Sequence, residues 1–127
     1  MLNFSDYVKR TSKNNDKLSI IYGAGIVGRM TLEALSQKNI NVDFFCDGSP
    51  EKQKIRVKGI KVIPPESLDQ LSKETNIFVS IQYFNSIIPF LEKKGFNNLF
   101  KVTDLLSEVN LEKSYKSEWA VELGLSE

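Results

Sequence analysis

The chain has no histidine, and this absence removes more chemistry than any other feature of its 127 residues. A Ser-His-Asp triad, an imidazole metal ligand and the commonest general base are excluded with it. Cysteine is almost as scarce: Cys46 alone can neither close an internal disulfide nor supply a thiolate cluster. No apolar run approaches the roughly 20 residues of a membrane-spanning helix. The opening "MLNFSDYVKRTSKNNDK" lacks the continuous apolar stretch of a secretory signal. Charge of one sign is also missing. Seventeen cations against 16 acids leave a net charge of +1, too little to draw nucleic acid or an anionic membrane. These exclusions point to a cytoplasmic protein with neither of those partners, and to a binding module rather than a complete catalyst.

What is present is the material of one globular core, with 41% apolar and 26% charged residues. Residues 1–16 read as a short amphipathic helix with Phe4, Tyr7 and Val8 on one side, and the polar cluster "KNNDK" ends it. "LSIIY" (Leu18–Tyr22) is a short apolar run suited to a strand covered on both faces. Val27, Met30, Ala34 and Leu35 then recur with helical spacing, and that helix is expected to end near Asn39. "INVDFFCD" (Ile40–Asp47) is a second strand. Ile55, Val57, Ile60, Val62 and Ile63 around Gly59 predict a hairpin-like excursion and a third strand. Pro64-Pro65 ends it, and a helix is expected from Pro65 to about Glu74. Asn76–Ile81 forms a fourth strand. The next helix is placed from Asn85, on the ground that Pro89 forbids a full turn before it, with Gly95 as its stop. "NNLFKV" is a fifth strand, and "TDLLSEV" a last short helix.

Strands alternating with helices at this spacing predict a Rossmann-like, doubly wound parallel α/β sheet in the order 3-2-1-4-5. Ile20, Ile21, Phe44, Phe45, Phe78 and Val79 are its expected core. The domain spans about residues 17–110. The tail, 111–127, carries Trp119 and Leu123 at helical spacing and falls outside this architecture. Its apolar residues predict packing on the partner of a homodimer or on a catalytic domain absent from these residues.

The segment "GAGIVG", Gly23 to Gly28, follows the first strand and opens the helix, the context that gives a GxGxxG pattern its meaning. Gly23 permits the turn, Gly25 lets backbone approach a pyrophosphate, and Gly28 lets the helix lie close to the strand. Amides through Ala24, Gly25, Ile26, Val27 and Gly28 are then available to an anion at the positive end of the helix. A tight βα turn with no ligand remains the alternative. Asp47 ends the second strand, 24 residues after Gly23, where an acid accepts hydrogen bonds from ribose hydroxyls. Such an acid repels a 2′-phosphate and favours NAD over NADP, although Asp47-Gly48 is equally good turn chemistry. Lys52, Lys54, Arg56 and Lys58 are within reach of a phosphate but read better as a solvated loop. Ser80, Gln82 and Tyr83, at the end of the fourth strand, face the same crevice, where Ser80 and Gln82 are ligand candidates and Tyr83 is as readily a packing residue. Cys46 is a small buried apolar residue.

Catalysis finds no matching constellation. No tyrosine has a lysine four residues later, so the Tyr-x-x-x-Lys pair of short-chain dehydrogenases is absent. No cluster has metal-ligand spacing.

"IIYGAGIVGRMTLEAL", "VDFFCDGSPEKQ", "VKGIKVIPPESL" and "NIFVSIQ" together resemble the small Rossmann-like domains of bacterial polysaccharide- and sugar-modifying proteins. These are the N-terminal domains of nucleotide-sugar acetyltransferases, the domain preceding the dehydratase in CapD-type proteins, and the domain attached to some FkbM-type methyltransferases. The resemblance covers about residues 17–104. It implies binding of NAD or an NDP-sugar through Gly23, Gly25, Gly28 and Asp47. It departs at Gln53-Lys54, where the family often has a glycine, and none of the catalytic regions named is recognisable in the 127 residues. A nucleotide-binding domain of carbohydrate biosynthesis is the leading expectation. A nucleotide-sensing regulatory module and a ligand-free assembly domain are the alternatives.

Overall fold

The apolar run after Leu18 forms the middle of the sheet. In the computed structural model, residues 17–80 and 84–102 are described. In chain order they form β1 (Ser19–Tyr22), α1 (Ile26–Gln37), β2 (Phe44–Cys46), a 3-10 turn (Lys52–Lys54), β3 (Arg56–Val57), β4 (Ile60–Ile63), a second 3-10 segment (Pro65–Gln70), β5 (Asn76–Val79), α2 (Phe84–Lys93) and β6 (Leu99–Lys101). The expected helix over 1–16, the residues Ile81, Gln82 and Tyr83, the helix beginning at Thr103 and the tail 111–127 lie outside the described residues.

The sheet runs β3-β4-β2-β1-β5-β6. Every neighbouring pair is parallel except β3 with β4. The parallel strands alone reproduce the expected order. The additional strand, β3, is the first arm of the hairpin around Gly59, added antiparallel at the edge. The fold is a Rossmann-like doubly wound sheet.

Strand alternation divides the core between the two faces. Ile21, Phe45, Phe78 and Phe100 meet Leu32 and Leu35 of α1 on one face, where the Phe78 and Phe100 rings stack with centroids 5.2 Å apart. Ile20, Cys46, Ile77, Val79 and Leu99 meet Leu68 and Leu91 on the other. Of the expected core residues, five are buried, and Phe44 is partly buried against the second cluster.

Both described α-helices end in paired closing hydrogen bonds. Asn39, at φ 61°, follows α1, with bonds from Asn39 N–H to Ser36 O and from Ile40 N–H to Leu35 O. Gly95, at φ 98°, follows α2 with the equivalent pair to Glu92 and Leu91. Each satisfies carbonyls that the helix itself leaves open.

Three expectations need correction. The second strand covers Phe44–Cys46 rather than Ile40–Asp47. β1 begins at Ser19, and its carbonyl already takes the Asp43 N–H at 2.8 Å, so residues before Asp43 have no ladder to join. Ile40 and Val42 pack on the α1-side core instead. The segment from Pro65 is a 3-10 helix ending at Gln70, not an α-helix to Glu74. Leu68 is its one buried side chain, and so short an apolar face does not sustain α-helical propagation. α2 starts at Phe84 and contains Pro89. The proline removes a bond to the Asn85 carbonyl, and both residues are exposed, so water can serve that carbonyl.

Candidate functional site

The chain leaves β1 through a backbone conformation suited to glycine. Gly23 has φ 112°, and its N–H donates to Cys46 O at 2.7 Å, tying the turn to the end of β2. Gly28 must also be glycine for contact reasons. A Cβ there would lie 1.7 Å from Gly23 O. Gly25 contrasts with it: a Cβ built on it meets none of the described residues within 4 Å. The glycine is the N-cap of α1, no side chain caps the helix, and no acid sits in its first turn. The N–H groups of Ile26, Val27 and Gly28 therefore begin the helix outside its ladder, beside open space and at the positive end of the dipole.

Ala24 is fully buried, whereas Ile26 is exposed and Val27 is half-buried. The Ala24 N–H donates to Asp47 Oδ2 at 2.8 Å, so that amide is directed at the protein rather than at the crevice. The other oxygen, Oδ1, accepts from Ser49 N–H at 2.8 Å, closing an Asx turn over Gly48. The expected acid is thus beside the glycine turn, joined to it directly. The Asp-Gly turn was readable from sequence, but its second bond, to Ala24, was not.

Ser80 continues the β5 ladder beyond Val79, its N–H donating to Tyr22 O at 3.2 Å. Alternation puts its side chain on the face of Phe78, the one α1 covers. Ser80 is 1% exposed, and its hydroxyl has no hydrogen-bond partner among the described residues. A buried hydroxyl in that state needs a partner, and this one lies beside Gly23 at the carboxyl ends of the strands. Gln82, the remaining candidate, is outside the described residues.

Arg29 was missed in the sequence. It follows the last glycine, lies in the first turn of α1 and is 3% exposed. Nothing in the apolar periodicity singles it out. A cation there opposes the helix dipole and favours negative charge nearby.

The basic run is dispersed along the edge hairpin. Arg56 Nη1 donates to Gly59 O at 3.1 Å within its own turn, while Lys54 is exposed and Lys52 and Lys58 are half-buried. Cys46 is buried, and burial, reinforced by the negative charges of Asp47 and Glu66, pushes its thiol well above the ordinary range. It is a packing residue, not a nucleophile. Among the described residues no group of three His, Cys, Asp or Glu side chains could hold a metal ion, and no helix is long and apolar enough to cross a membrane.

Gly23, Asp47 and Ser80 thus end three adjacent strands around β1, where strand order reverses and ligands of doubly wound folds lie. The class is defined by that arrangement: a Rossmann-like domain with an open glycine turn at its switch point. No family model and no curated protein matches the chain. Two solved structures resemble it in fold. UDP-D-quinovosamine 4-dehydrogenase from Vibrio fischeri is 23% identical, with TM-score 0.53, over 72% of this chain and 84% of its own. RSP, a Rex-family repressor, is 18% identical, with TM-score 0.52, over 95% of this chain and 71% of its own.

Proposed function

We propose that the chain is a nucleotide-binding domain that takes NAD or an NDP-sugar at the glycine turn and serves bacterial carbohydrate biosynthesis in the cytoplasm. The observation carrying this reading is the uncapped α1 N-terminus, open above Gly25, at the point where the strand order reverses. The residues fit a diphosphate. The amides of Gly25 to Gly28 donate to its oxygens, Gly23 and Gly28 set the turn, and Ala24 and Asp47 brace it. Ile26 gives the ligand an exposed apolar edge. Ser80, and Gln82 after it, supply polar contacts from the neighbouring strand. The sugar-nucleotide side of the reading is supported by the motif combination and by a neighbour in fold named for dehydrogenating a UDP-sugar.

The chemistry of the pathway resides in a catalytic partner domain, and the apolar tail packs on that domain or on a second copy of the chain. Neither nucleic acid nor membrane enters this reading. A thermal-shift panel of NAD, NADP, S-adenosylmethionine, CoA and UDP-, GDP- and CDP-sugars tests it. Stabilisation by NAD or an NDP-sugar is expected, and a panel without any shift returns the chain to a ligand-free assembly role.

A second reading, a nucleotide-sensing regulatory module, is favoured by the likeness to a repressor over nearly the whole chain. A ligand-dependent change in oligomeric state, read by light scattering, selects it over the first.

A further inference from the structure

Asp47 is held on every side. Its Oδ2 accepts from Ala24 N–H and its Oδ1 from Ser49 N–H, each at 2.8 Å. Its own N–H donates to Ile63 O at 3.1 Å, and its carbonyl accepts from Gln53 Nε2 at 2.7 Å. The residue is 5% exposed. A carboxylate that reads a ribose diol must present oxygen to the crevice, and Asp47 presents almost none. Turning it outward would strip the Ala24 amide, in a fully buried residue, of its acceptor. The cations that follow on the same loop, Lys52 and Lys54, donate hydrogen bonds and accept none, so they do not replace it as acceptors for the diol.

We propose that Asp47 is a positioning residue that latches the glycine turn to the end of β2, and that the crevice selects a diphosphate without reading the ribose 2′-hydroxyl. Ribo- and 2′-deoxyribonucleoside diphosphates then enter alike. The inference rests on the nucleotide reading above and narrows its ligand class. The latch acts through geometry. With Ala24 fixed on Asp47 and Gly23 on Cys46, the next amides, Gly25 to Gly28, are aimed at the diphosphate before it arrives.

The test is calorimetry on the full chain with ADP, 2′-deoxy-ADP, UDP and 2′-deoxy-UDP. The wild type should bind the two members of a pair within about threefold, because the charge-assisted contact, worth at least about tenfold, is not made. Asp47→Asn should weaken both members of a pair by the same factor, since it disturbs the turn they share. Phe96→Leu, in the core on the far face of the sheet, should lower the melting temperature and leave both affinities unchanged. A tenfold or greater preference of the wild type for the ribose members overturns the inference and leaves the nucleotide reading intact. That comparison stands even if Asp47→Asn fails to fold. An equal affinity loss in Phe96→Leu overturns the positioning role. The same ribo/deoxyribo pair is run for whichever nucleoside the thermal-shift panel selects, and no shift in that panel together with no binding of any pair overturns the nucleotide reading and the inference together.

Discussion

Replacing Gly28 by alanine should reverse the usual sign of such a change. In an ordinary helix interior, glycine to alanine stabilises by about 0.5–1 kcal/mol through backbone entropy and helix propensity. At Gly28 the added Cβ would stand 1.7 Å from Gly23 O and 2.8 Å from Gly23 C. A carbon and a carbonyl oxygen need about 3.3 Å, so α1 or the turn must move by roughly 1.5 Å. The obstacle is backbone and cannot rotate away. It is also pinned, by Gly23 N–H on Cys46 O and by Ala24 N–H on Asp47. Overpacking of this type costs about 1–3 kcal/mol, and the rigidity places Gly28→Ala at the upper end, about 2 kcal/mol net of the helix gain. With a urea slope of about 1–3 kcal/mol/M, the unfolding midpoint should fall by roughly 1 M at an unchanged slope. An alanine variant as stable as the wild type, or more so, would refute the close approach of α1 to the turn and with it the geometry of the cradle.

Gly25→Val should stay folded with at most about 1 kcal/mol lost, since valine is a poorer N-cap than glycine but its Cβ meets none of the described residues within 4 Å and the backbone is extended at φ −88° and ψ −159°. It should also lose nucleotide binding, and unchanged affinity in the folded variant would empty the crevice of its proposed role. Phe78→Ala should cost about 3–5 kcal/mol in urea unfolding, because it removes a buried ring stacked on Phe100; a loss below about 1 kcal/mol would contradict that packing. A hydrogen bond from Lys94 Nζ at 2.7 Å is the main cause holding the exposed Asp69 carboxyl below its ordinary range. Its stabilising effect is therefore present above the ordinary carboxylate pKa and is lost as pH falls through the lower folded value. Carboxyl titration by NMR should show Asp69 rising when Lys94 is replaced by methionine, and an unmoved titration would break the pair.

The strands, their order and the glycine turn were legible because they are written locally. Ile20 and Ile21 bury opposite faces from adjacent positions, as a strand covered on both sides requires. The spacing of Gly23, Gly25 and Gly28 announces a strand-to-helix passage. The 3-10 form of Pro65–Gln70 was not legible, since Pro65 and Glu66 open an α-helix and a 3-10 helix equally well, and the apolar face available to Leu68 decides between them. Pro89 misled for a related reason: its lost bond matters only if the Asn85 carbonyl is shut away from water, and it is not. Asp47 was found by position. Its bond to Ala24 depends on how closely two chain segments, 23 residues apart, return to one another.

The hairpin at the outer edge has a consequence for how copies of the protein meet. Arg56 on β3 stands directly opposite Lys61 on β4, a like-charged pair that weakens the hairpin. Val57, fully buried, keeps it seated on the core. A free strand edge is a template on which another chain can add. Here a second copy arriving strand to strand would set Arg56 and its neighbouring lysines against their own images. The local strain thus works as insurance against runaway growth of the sheet in a crowded cell, and high salt, by masking it, is the condition under which that protection should weaken.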